Sequence, residues 1–195
     1  MAYKQIQSIG SFRITDNPTI DGAVTQPATG KITRKQEQFG AFNYTQLTLD
    51  NVGQTVVNGT EYQGTKIFTF PEGRILVLGV TATMRQKTTS ALASTLNASS
   101  TGAIALGTAT ASATTLADTM VNLLPSTAFT SSATVNVPGT AVSAALAASA
   151  QFDGTTTPIP VYLNTAFATT ADVDGDATQT ISGTVNLIWV ALGDY

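Results

Sequence analysis

Three aspartates at alternate positions, Asp172, Asp174 and Asp176, could turn carboxylate oxygens toward a hard cation such as calcium. An EF-hand loop carries its glycine at the sixth position and a glutamate at the twelfth. Here Gly175 is fourth and Gly183 stands where the glutamate belongs. The cluster reads either as a loose cation site or as a solvated loop whose like charges discourage edge-to-edge pairing. Gly59 and Gly64, followed by Thr65-Lys66, have the glycine spacing of a phosphate loop. The order after the second glycine is Thr-Lys rather than Lys-Ser/Thr. A strand pattern follows, not a helix whose N-terminus could hold phosphate, so the stretch reads as a hairpin loop. Glu37, Glu61 and Glu72 are the only glutamates, and no spacing brings two of them together as a glycosidase pair.

The chain has no histidine and no cysteine. That excludes a Ser-His-Asp triad, a thiol nucleophile, a disulfide framework and the ordinary zinc and copper ligand sets. A general base would have to be Asp, Glu, Lys or Tyr. The expectation is a protein that is not an enzyme and carries no cofactor. Asn43, Asn58 and Asn97 open glycosylation acceptor triplets, but the start Met1-Ala2-Tyr3-Lys4-Gln5 does not read as a secretory leader, so glycosylation is not expected. Trp189, the only tryptophan, could stack on a sugar; it is in phase with Val185 and Leu187 and reads as core.

The elements that would position these residues are β. Tyr44 to Leu49 alternates, with Leu47 and Leu49 on one face, and Asp50-Asn51 closes the run. Lys66 to Phe70 is a second run, joined by the turn Pro71-Glu72-Gly73 to a third, Arg74 to Met84. That third run is apolar at both parities from Ile75 to Val80, which predicts a central strand covered on both sides. Ile104–Gly107 and Ala133–Val137 read as short strands. Leu116 to Leu124 is compatible with a strand or a short helix. Ala141 to Ala150 has both periods and is assigned to a strand because it ends at Asp153-Gly154. Ile159, Val161, Leu163 and Phe167 share a face, as do Ile181, Val185, Leu187, Trp189 and Ala191. The fold class is all-β, a β-sandwich or jelly roll spanning 44–195. Residues 1–43, with Pro18, Pro27 and four glycines but few bulky apolar residues, read as an extended N-terminal arm, disordered or ordered by a partner.

The 195 residues are 43% hydrophobic and only 11% charged, where about a quarter is usual. All nine basic residues and six acidic ones lie in 1–87; six aspartates and no basic residue follow. Such asymmetry suggests a front end that meets a mildly acidic protein surface, with Arg13, Lys31, Arg34 and Lys35 as partner-binding candidates. The basic residues are scattered and accompany no nucleic-acid-binding motif, so nucleic acid is not expected as a partner. The near-apolar run Ile75–Val80 is too short to span a bilayer, so neither is a membrane.

Four stretches carry a resemblance: Ile104 to Ala111, Leu123-Leu124-Pro125-Ser126-Thr127, Asp153 to Pro158, and the closing Ser182 to Tyr195. Together they resemble small structural proteins of tailed bacteriophages encoded beside the major capsid protein. The resemblance covers about 100–195 and leaves the arm outside. It implies a capsid decoration (cement) protein, made in the host cytoplasm and placed on the outer surface of the virion. Such proteins commonly have β folds, often form homotrimers and clamp neighbouring copies of the major capsid protein. Two rivals are another virion β-protein, such as a head fibre, tail or receptor-binding protein, and a monomeric sugar-binding module.

Overall fold

A computed structural model describes residues 22–57, 59–88, 101–131, 142–145, 149–167 and 177–193. The strands are β1 (Ala23–Val24), β2 (Lys31–Phe39), β3 (Phe42–Val56), β4 (Tyr62–Thr69), β5 (Gly73–Thr88), β6 (Thr101–Gly107), β7 (Leu124–Thr130), β8 (Val142–Ala145), β9 (Ala150–Gly154), β10 (Pro160–Phe167) and β11 (Ala177–Gly193). One 3₁₀ turn, Asp118–Met120, precedes β7. The smaller sheet runs β1-β4-β10-β6-β7. The larger runs β2-β3-β11-β5, with β8 and β9 both on the far side of β5. Every pairing is antiparallel.

The inner faces follow the period-2 pattern. Leu47, Leu49, Val52 and Val56 of β3, Ile75, Val77 and Val80 of β5, and Ile181, Val185, Leu187 and Trp189 of β11 are buried against Ile67, Phe68, Leu163 and Phe167 of the other sheet. Trp189 is fully buried. It meets Phe70 edge-on at 5.5 Å and donates from Nε1 to Thr45 Oγ1 at 3.0 Å, so its one polar atom is satisfied inside. At one end the core turns polar. Thr165 donates to Gln54 Oε1 at 2.6 Å, and Gln179 Nε2 donates to Thr165 Oγ1 at 2.9 Å.

The centre of the smaller sheet's outer face, over β6 and β10, is covered by the sheet's own connection. Ala105 and Ala166 pack under Ala111 and Leu116 of the β6–β7 loop. Buried Asn164 pins that loop: its Nδ2 donates to Ala109 O (2.9 Å) and Met120 O (2.8 Å), and its Oδ1 accepts from Ala111 N (2.9 Å).

Asp50-Asn51 does not close its strand, since β3 passes through it with a register shift and continues to Val56, and two larger expectations change. Residues 1–21 of the expected arm lie outside the described residues, but 22–43 belong to the sandwich and the boundary does not fall at 43/44. β2 pairs with β3 from Lys31↔Asp50 to Phe39↔Phe42. Ile32 is buried, and Arg34 reaches over the edge to donate to the carbonyl of Gly22. Its sequence hides this because Ile32 is the one apolar residue it sends inward, and Arg34, Gln36 and Gln38 occupy the other inward positions. The second change is β5. It is central, as expected, but its outer face is open: Leu78 is 38% exposed and Leu76 half-buried.

Candidate functional site

The open outer face of the larger sheet brings together side chains that are far apart in sequence. In an antiparallel pair, residues directly opposite share a face, so the register reads the surface row by row. At one end Phe39, Phe42, Val190 and Leu76 line up across β2, β3, β11 and β5. The next row holds Tyr44 and Ile188, with Leu78 in a bulge of β5 beside them, and Leu192 lies beyond Val190. Phe42 is 50% exposed and Ile188 43%. From strand and residue spacings, this apolar end covers on the order of 400 Å². Contiguous patches of that size on a soluble protein are commonly interaction sites.

Next comes a row whose β3, β11 and β5 members are uncharged and hydrogen-bonded, with Lys35 opposite Gln46 at its β2 edge. Tyr44 Oη donates to Asn186 Oδ1 (2.8 Å), Gln46 Nε2 donates to the same oxygen (3.0 Å), and Asn186 Nδ2 donates to Thr81 Oγ1 (3.1 Å). This net ties three strands together on the outside. A hydroxyl row follows, Thr48, Thr184 and Thr83, opposite one another in register. The last row holds Ser182 opposite Arg85, with Lys87 two residues further along β5.

Opposite charges sit at the rims of the apolar end. Lys35 Nζ lies 2.8 Å from Glu37 Oε1 on β2, and Arg74 Nη2 lies 3.9 Å from Asp153 Oδ2 across β5 and β9. The hydrogen bond and charge of Glu37 raise the Lys35 pKa above its ordinary value. Thr155 donates to Asp153 Oδ1 from its hydroxyl (2.7 Å) and its amide (3.1 Å), which holds that carboxyl below the usual carboxylate range, with a further contribution from Arg74. Each rim is neutral as a pair.

Of the four basic residues singled out from sequence, Arg13 lies outside the described residues. Lys31, Arg34 and Lys35 are on the edge strand, not on a free arm. Lys31 and Lys35 face outward beside Asp50 and Gln46, Lys35 is committed to Glu37, and Arg34 is committed to Gly22. The Asp172/Asp174/Asp176 loop lies outside the described residues, as do Asn58 and Asn97. Asn43 is 2% exposed, which leaves no access for a glycan. Glu61 is buried, with Gly59 N donating to its Oε1 at 3.1 Å. Among the described residues no three His, Cys, Asp or Glu gather where they could hold a metal ion. Among them too, no helix is long and apolar enough to cross a membrane. Sequence reasoning missed the open face itself. The available signal was the both-parity apolar run of β5 together with Ile188 and Leu192, outward residues of the same type on β11.

No protein-family model matches the chain, and no curated protein matches it.

Proposed function

We propose that the chain is a structural protein that docks on other proteins, and specifically a decoration protein that clamps neighbouring major capsid subunits on the outside of a tailed-phage head. The observation that carries the reading is the apolar end of the open face of the larger sheet, whose own rims are neutral as ion pairs and which gives way to a row of hydrogen-bonded amides and hydroxyls before the cationic end is reached. Such a face suits contact with another protein surface, because little charge has to be stripped of water, at several kcal/mol per ion, when it is covered. An apolar end of roughly 400 Å² falls short of the roughly 800 Å² per partner of a standard stable interface. It fits one contact among several on a repeating lattice, where linked weak contacts multiply through effective concentration. The choice of a phage head as that lattice rests on the sequence resemblance of stretches within residues 100–195 alone.

Within this reading the sandwich is of jelly-roll type, the chain works as a homotrimer on the capsid surface, and the N-terminal segment adds attachment through Arg13. The test is co-sedimentation of the purified chain with particles lacking it. Saturable binding, lost when Ile188 and Leu78 are both changed to lysine, supports the proposal. Binding to host cells but not to heads would transfer the chain to the receptor-binding class of virion protein.

A further inference from the structure

The cationic end of the open face contains a second feature, independent of the docking reading. β3 is bulged at Asp50-Asn51, between the pairs Ile181↔Val52 and Gly183↔Leu49, and the sheet is hollowed there. Asn51 sits at φ 52°, in the left-handed region that Asn tolerates better than most residues. Gly183 sits at φ 150°, and a Cβ on it would lie 2.1 Å from Thr83 O, so no side chain fits at that position. The hollow has a volume of about 280 Å³ and is lined by Asn51, Thr83, Arg85, Lys87, Ser182 and Gly183. That is just under the roughly 300–1,000 Å³ of small-molecule sites.

We infer that this hollow binds a phosphate-class oxyanion, inorganic phosphate or a phosphomonoester. The argument is the donor set. Arg85 and Lys87 project from alternate positions of β5 on the same face, about 7 Å apart along the strand. Neither forms an ion pair among the described residues. Asn51 N donates to Ser182 Oγ at 3.0 Å, which fixes the hydroxyl and leaves its own hydrogen without an acceptor among the described residues. The nearby carboxylate, Asp50, takes the Asn51 side-chain amide at 2.7 Å and does not line the hollow. A guanidinium fork and an ammonium from β5 and a hydroxyl hydrogen from the neighbouring β11, all lining one hollow, suit the several oxygens of a tetrahedral anion. Arg offers paired donors and Lys a point charge, the usual division of labour at phosphate. The chain as a whole is acidic, at −3, so two cations with no ion pair among the described residues lining one hollow are a local feature and not a basic surface.

The test is an NMR titration of the full chain with sodium phosphate at ionic strength held constant with sodium chloride. The expected result is one saturating set of amide shifts centred on Asn51, Ser182, Gly183 and Arg85. Changing Arg85 and Lys87 to glutamine together should weaken binding at least tenfold, and Ser182→Ala should weaken it several-fold. All three residues are on the outer face, so an unchanged melting temperature of each variant reports that the fold is intact. A parallel titration with acetate should bind at least tenfold more weakly. Equal binding of acetate would overturn the phosphate assignment. Shifts spread evenly over Lys31, Lys66 and Arg74 without saturation would overturn the site. The titration contains no particle, so its outcome is separate from that of the capsid proposal.

Discussion

Asn164 shows how one residue can hold a whole connection in place. It contributes three hydrogen bonds to the β6–β7 loop from the buried outer face of β10. Asn164→Ala would leave one buried N–H and two carbonyls without their partner, and each such group costs about 1–3 kcal/mol. The expected loss is roughly 3 kcal/mol in denaturant unfolding, with faster hydrogen exchange at Ala109 and Ala111 before global unfolding. Asp153 gives a prediction in pH. Its folded pKa lies below the ordinary 3.8, so the deprotonated form is favoured in the folded state. The stability it contributes is present above the unfolded value and is lost as pH falls through the folded one. A side-chain NMR titration should find Asp153 below 3.8, and Thr155→Val should return it toward that value. The group is exposed, so the effect on global stability is small. At this scale the sequence was informative about the core and silent about the surface. Trp189 in phase with Leu187 is legible as a packed side chain, but no local pattern says that Ser182 will face Arg85, because they meet only through a strand pairing about a hundred residues apart in the chain.

Among the elements, β2 is the clearest case of structure that composition conceals. A strand on the edge of a sheet needs to bury little, and β2 buries only Ile32 well. Gln26 completes the edge at that point: its side-chain amide donates to Ile32 O at 2.7 Å and accepts from Ile32 N at 3.0 Å, standing in for one residue of a neighbouring strand. A polar edge is also how sheet proteins limit unwanted pairing. Truncations at the two candidate boundaries should therefore differ. Removing 1–21 leaves every described strand in place, and that chain should remain folded by circular dichroism while binding heads less tightly. Removing 1–43 deletes β1, β2 and the start of β3 and should abolish cooperative unfolding. If the chain lacking 1–21 binds heads as tightly as the full chain, the N-terminal segment has no part in attachment. β5 taught the opposite lesson. Its apolar run at both parities implied cover on both faces, but the outward residues Leu76 and Leu78 join Ile188 and Phe42 in an open patch. Local sequence records that a position is apolar; it does not record whether the apolar contact lies within the chain or with another molecule. Ile188→Lys should accordingly change the melting free energy by no more than about 0.5 kcal/mol, the range of ordinary surface substitutions, while removing much of the binding to particles.

The whole molecule is two antiparallel sheets whose outer faces are treated differently: the β6–β7 loop covers the centre of one over β6 and β10, and the other lies open from an apolar end to a cationic hollow. A body of this kind would act by adding contacts to an assembled lattice. A clamp that binds the lattice better than free subunits stabilises it by mass action, so the effect should scale with the amount of protein supplied. The trimer expected of the chain would bring three open faces to bear together, and single-particle reconstruction of decorated heads should place the copies in threes. Isolated copies with no contact to one another would remove the trimer. The central claim is that the chain strengthens the head, and the temperature at which particles release DNA measures it most directly. Heads lacking the chain should release DNA at a lower temperature than complete heads. Adding back the purified protein should restore the difference, and adding the Ile188→Lys form should not. Equal release temperatures with and without the chain would contradict the account.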